Sequence, residues 1–113
     1  MERSRSIRDN AGLRHNGNVY VAADTTLEYG NINVFATVNT ANGDITLILP
    51  PVGPSAGQFI YIYVTMANAK TLTVTDQAAD AGMAVDLDMD ADGDDVMLYS
   101  TGIHWIEVYN GIA

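Results

Sequence analysis

Two β-prone runs set the terms for this chain. Asp-Ile-Thr-Leu-Ile-Leu at 44–49 and Phe-Ile-Tyr-Ile-Tyr-Val at 59–64 flank a loop that carries all three prolines of the sequence. In the first run Ile45, Leu47 and Leu49 alternate with Thr46 and Ile48, the period-2 signature of a strand. Pro50 and Pro51 cannot donate to a ladder, so the strand has to end there. The second run is apolar on both faces: Ile60, Ile62 and Val64 point one way, Phe59, Tyr61 and Tyr63 the other. A strand of that kind is covered on both sides, by a second sheet or by a neighbouring subunit. Phe59, Tyr61 and Tyr63 are therefore read as core or subunit-interface residues.

The remaining segments supply strands to cover it. Residues 19–22, 25–29, 32–38, 70–75, 85–89, 96–99 and 103–109 each show β-branched or alternating character, with turn signals between them. Asn42-Gly43 reads as a type I′ hairpin turn, because that turn needs positive φ at both central residues. Trp105, the only tryptophan, lies on the closing strand after Thr101-Gly102 and is expected in the core or at a subunit interface. No segment has a convincing helical period. The expected fold is all-β: an antiparallel β-sandwich with jelly-roll character, about eight short strands over 19–113, preceded by an extended basic arm at 1–18.

Charge separates arm from body. Residues 1–14 hold four arginines against two acids, a balance of +2, whereas residues 15–113 hold Lys70 against twelve acids, a balance of −11; together these make the formal net charge of −9. An acidic body argues against a nucleic-acid-binding surface, since phosphate contacts need Lys and Arg. The arm offers Arg3, Arg5, Arg8 and Arg14 with two isolated apolar anchors, Ile7 and Leu13. Planar guanidinium groups suit carboxylates on a partner surface. Cysteine is absent, which excludes disulfides and thiolate metal sites. No apolar run approaches the roughly 20 residues of a membrane helix, and the opening residues do not read as a secretory signal.

Candidate chemistry is sparse. Asp-Met-Asp-Ala-Asp-Gly at 88–93 opens like an EF-hand loop, but the twelfth position, where a bidentate Glu is needed, is Tyr99. An EF-hand is rejected. A looser calcium site of Asp88, Asp90, Asp92 and Asp94 competes with an acidic outer face, and alternation with Val85, Leu87 and Met89 favours the face. His15 falls in the arm and His104 in the last strand, with no motif around any hydroxyl, so no catalytic residue is assigned and the chain is not expected to be an enzyme or to carry a cofactor. The six tyrosines with Trp105 form either a sugar-stacking face or core and interface.

Several runs together resemble a known family. Ile-Thr-Leu-Ile-Leu-Pro (45–50), Gly-Gln-Phe-Ile-Tyr-Ile (57–62), Lys-Thr-Leu-Thr-Val-Thr (70–75), Val-Asp-Leu (85–87), Gly-Asp-Asp-Val-Met-Leu-Tyr-Ser (93–100) and Gly-Ile-His-Trp-Ile-Glu-Val (102–108) resemble a β-structured module of tailed-phage virion proteins, found in head decoration (cement) proteins, head fibres and tail fibres. The Asp-Gly usual in that family between its third and fourth apolar segments is replaced by Asp-Ala-Gly at 80–82. The resemblance implies a trimeric, jelly-roll-like structural protein of a virus particle and brings no catalytic residues. The resemblance does not say where on the particle. A chain of 113 residues is short for a tail fibre, and a small, acidic, cysteine-free domain with a basic arm better fits a cement protein on the outer capsid surface, expected as a homotrimer bound to the major capsid protein of a phage head. A small receptor- or glycan-binding module of a fibre is the alternative.

Overall fold

A computed structural model describes residues 17–38, 41–66, 70–78, 80 and 86–112. Among the described residues there are nine strands, numbered here in chain order: β1 (Asn18–Val21), β2 (Thr25–Thr26), β3 (Asn33–Thr37), β4 (Ile45–Ile48), β5 (Phe59–Met66), β6 (Leu72–Thr75), β7 (Leu87–Met89), β8 (Asp95–Ser100) and β9 (Trp105–Asn110). They form a five-stranded sheet in the order β9-β8-β5-β3-β1 and a four-stranded sheet in the order β2-β4-β6-β7. Among the described residues there is no helix, and so none long and apolar enough to cross a membrane.

Alternation decides which side of each strand is buried. Val34 and Ala36, Ile60, Ile62 and Val64, and Val96 and Leu98 turn inward from the five-stranded sheet. Ile45 and Leu47, Leu72 and Val74, and Leu87 and Met89 turn inward from the four-stranded one. All belong to a single apolar cluster, so the sheets share one core in the manner of a sandwich. Each fully buried Leu or Ile contributes about 1.5–3 kcal/mol of transfer free energy.

The pairing corrects the expectation of an antiparallel sandwich with jelly-roll order: both sheets are mixed. β1–β3, β3–β5, β2–β4 and β4–β6 run parallel, whereas β5–β8, β8–β9 and β6–β7 run antiparallel. From β1 to β6 the chain alternates between the sheets, so the crossover that parallel neighbours require is each time a strand of the opposite sheet. The first six strands thus wind as a two-sheeted coil, as in solenoid proteins, before β7, β8 and β9 close it. The physical reason is that period-2 burial is satisfied equally by either strand direction. Local alternation fixes the inward face and leaves the partner open.

Asn42-Gly43 shows the same point. Gly43 has φ +76°, as the turn signal requires, and the Asn42 side-chain amide donates to Thr37 O at 3.1 Å. Yet β3 and β4 lie in different sheets, so this turn is a corner between sheets and not a hairpin. Asn18, expected within the arm, opens β1, and its side-chain oxygen accepts from the Asn33 amide at 3.1 Å. Residues 1–16, with Arg3, Arg5, Ile7, Arg8, Leu13, Arg14 and His15, lie outside the described residues, as does Val85.

The proline loop is pinned to the closing hairpin. Ser100 Oγ donates to Val52 O at 2.7 Å, Gly57 N–H donates to Ser100 O at 2.8 Å, and Trp105 Nε1 donates to Pro50 O at 3.4 Å. Trp105 opens β9 opposite Ser100 and is only 4% exposed. Its ring closes the core at the proline loop.

Candidate functional site

The side chains that do not enter the core make the second face of the five-stranded sheet, and the registers line them up in rows. Tyr20 lies opposite Phe35, Phe35 opposite Tyr63, and Tyr63 opposite Asp95. In the next row Asn18, Asn33, Tyr61, Met97 and Tyr109 follow one another across all five strands. A third row joins Phe59, Tyr99 and Ile106. Directly opposed side chains on one face of a sheet are in contact range, so the rows form one surface. Tyr20 stacks on Phe35 with ring centroids 5.4 Å apart, Phe59 tilts against Tyr99 at 4.8 Å, and Tyr61 stacks on Tyr63 at 6.5 Å.

Tyr109 reaches this face through a bulge. The β8–β9 register shifts between Glu107 and Tyr109, so Val108 is the extra residue and Tyr109 comes to lie opposite Met97. Without the bulge, strict alternation would carry Val108 to the outer face and Tyr109 away from it.

Seven of the chain's nine aromatic side chains therefore stand on one outer sheet face, and Trp105 alone is in the core. Tyr20, Phe59, Tyr109 and Ile106 are exposed by 78, 50, 53 and 43%, while Phe35, Tyr61, Tyr63, Met97 and Tyr99 are half-buried. Contiguous apolar exposure on this scale marks an interaction surface. Among the described residues its one acid is Asp95, whose Oδ2 accepts the Tyr61 hydroxyl at 2.8 Å. Burial, then that hydrogen bond and the Asp95 charge, push the Tyr61 phenol up to about 12. The outer face of the other sheet is different in kind: Thr46 lies opposite Thr73 and Thr73 opposite Asp88, Ile48 lies opposite Thr75, and Thr73 Oγ1 donates to Asp88 at 3.0 Å.

The structure thus gathers Phe59, Tyr61 and Tyr63 as read from the sequence, on the open face, and separates Trp105 from them. That separation corrects the sugar-stacking set of six tyrosines with Trp105. Sequence reading grouped Tyr20, Tyr99 and Tyr109 with Tyr61 and Tyr63 only as one of two alternatives for the six tyrosines, and missed Phe35. The signal present was an aromatic at an alternate position of each strand, as in Val-Tyr-Val (19–21) and Val-Phe-Ala (34–36).

The aspartates act in turns. Asp94 is buried, and its Oδ2 accepts the backbone N–H groups of Asp90 and Ala91, both at 3.1 Å. Asp88 is engaged with Thr73 on the opposite sheet face. Among the described residues no three His, Cys, Asp or Glu side chains converge to hold a metal ion. His104 is exposed in the 101–104 turn, where Thr101 Oγ1 accepts its backbone N–H at 3.0 Å. The arrangement supplies an exposed aromatic sheet face.

No protein-family model matches this chain, and no curated protein matches it.

Proposed function

We propose that this protein is a structural component of a tailed-phage virion, a capsid decoration protein that binds the outside of the head as a homotrimer and stabilises the shell. The observation that carries the reading is the aromatic outer face of the five-stranded sheet, bearing one acid among the described residues on a chain of net charge −9. A surface of that kind works by association: rings are buried against protein, and many weak contacts add by multivalency. The phage-module resemblance of residues 44–109 supports the virion setting.

In this reading the basic arm at 1–14 fastens each copy to acidic groups on the major capsid protein, with Arg3, Arg5, Arg8 and Arg14 as donors and Ile7 and Leu13 as apolar anchors. The work is done without catalysis, cofactor or metal, and without nucleic acid or membrane as partner.

The test is co-sedimentation with purified phage heads. The full chain is expected to saturate the heads, and raised salt is expected to weaken binding, because exposed charges are screened beyond about 8–10 Å. Removing residues 1–14 is expected to abolish binding and leave the melting temperature unchanged. Failure of the full chain to bind heads overturns the reading.

A second reading, a glycan-binding fibre module, is favoured by the mixture on the same face of ring rows with Asn18, Asn33 and Asp95 as hydrogen-bonding groups. Glycan-array binding without head binding decides for it.

A further inference from the structure

We infer that the occupant of the aromatic face is a second copy of this chain, so that copies close a ring with the outer faces of their five-stranded sheets turned toward a common axis. The inference rests on the proposed homotrimer and adds which surface assembles it.

Charge is the first argument. Two copies with −9 each repel over most of their surfaces. Among the described residues the aromatic face holds one acid, and the Tyr61 hydroxyl already donates to it, so this is where like-charged copies come together at least cost. The outer face of the four-stranded sheet, with its threonines and Asp88, offers no comparable apolar area.

Area is the second. An aromatic side chain fully covered removes about 150–250 Å² from water. With somewhat under half of that still uncovered, seven rings offer roughly 400–700 Å², and Met97 and Ile106 add to it. A standard stable interface needs about 800 Å² from each partner. In a ring each copy divides the face between two neighbours, so every contact draws about half of this area from each partner, a small interface to which contacts beyond the rings must add.

The third is the way the two ends of the face differ. A cyclic ring uses heterologous contacts, in which one patch meets a different patch of the next copy. The β9 end presents Ile106 and the bulge-directed Tyr109; the β1 end presents Tyr20 stacked on Phe35. Aliphatic and tyrosine side chains of one end packing on the ring pair of the other complete the contact from groups already exposed.

The experiment is the mass in solution, by light scattering at micromolar concentration, of the full chain and of Tyr20→Asp, Phe59→Asp and Thr46→Asp. Each variant adds one negative charge at an exposed strand position; Thr46 lies on the other sheet and is the control. The parent and Thr46→Asp are expected at three times the mass of one chain, and Tyr20→Asp and Phe59→Asp at the mass of one. Fluorescence of the buried Trp105 checks that each variant is folded. If Phe59→Asp does not fold, Tyr20→Asp, whose ring is 78% exposed, decides by itself. Face variants that keep the parent's mass overturn the inference. So does a single-chain parent, and glycan binding lost in Phe59→Asp would then assign the face to sugar. Head binding separates the two claims: a single-chain parent that binds heads removes the interface and leaves the virion reading, whereas a ring that ignores heads does the reverse.

Discussion

The Tyr61 hydroxyl donates a 2.8 Å hydrogen bond to Asp95, joining β5 to β8 on the aromatic sheet face. A carboxylate there is tolerated because a donor sits on it, and the phenol is harder to ionise first because it is buried and then because it donates to that carboxylate. Tyr61 is pushed up to about 12 from an ordinary 10. A group whose folded value is raised contributes stability that is complete below its unfolded value and is lost as pH climbs through the folded one. The contribution of Tyr61 should therefore hold up to about pH 10 and disappear by about pH 12. Ultraviolet titration should show a tyrosine ionising near 12, and Asp95→Asn should lower it only in part, because burial, the larger cause, remains.

Trp105 carries the closing hairpin. Replacement by Ala should cost about 3–5 kcal/mol, the usual loss for a large core aromatic, out of the about 5–15 kcal/mol available to a domain. Trp105→Phe keeps most of the packing and loses only the long bond to Pro50 O, so it should cost about 1 kcal/mol. Urea unfolding of the two variants checks the ratio. Equal losses would mean that the bond, not the ring, holds the proline loop.

Asp94 holds the turn before β8. Asp94→Ala leaves the N–H groups of Asp90 and Ala91 without their acceptor and should cost about 1–3 kcal/mol. Calcium should leave the melting temperature nearly unchanged, because Asp94 is committed to these donors and no cluster of ligands surrounds it among the described residues. A chelator-reversible rise on adding calcium would contradict this.

Ser55 is fully buried in the proline loop, and its hydroxyl has no hydrogen-bond partner among the described residues. A buried polar group without a partner costs free energy. Ser55→Ala should accordingly melt at the same temperature as the parent or higher. A fall of several degrees in the melting curve would show that the hydroxyl is satisfied in solution.

Much of the core was readable from the chain because burial has a local period. Ile45, Leu47 and Leu49, Ile60, Ile62 and Val64, and Leu72 and Val74 all lie inside, as their alternation indicates. The strand pairing was not readable, since Val34 opposite Ile62 in a parallel ladder depends on a contact 28 residues away that alternation does not encode. The Asn42-Gly43 corner was misread for the same reason: a positive φ at Gly43 bends the chain without saying which sheet it enters. For the candidate site, the rings of β5 were evident because they sit two apart in one strand. Tyr20, Phe35 and Tyr99 join them only through register, and Tyr109 only through a bulge that no residue between 107 and 109 signals.

The central claim is that this is an assembling protein, whose open aromatic face is closed by its own copies. The most direct measurement is the mass of the unmodified full chain by light scattering at micromolar concentration. One monodisperse species at three times the 12.1 kDa of a single chain is the expected result. A monodisperse species at 12.1 kDa contradicts it.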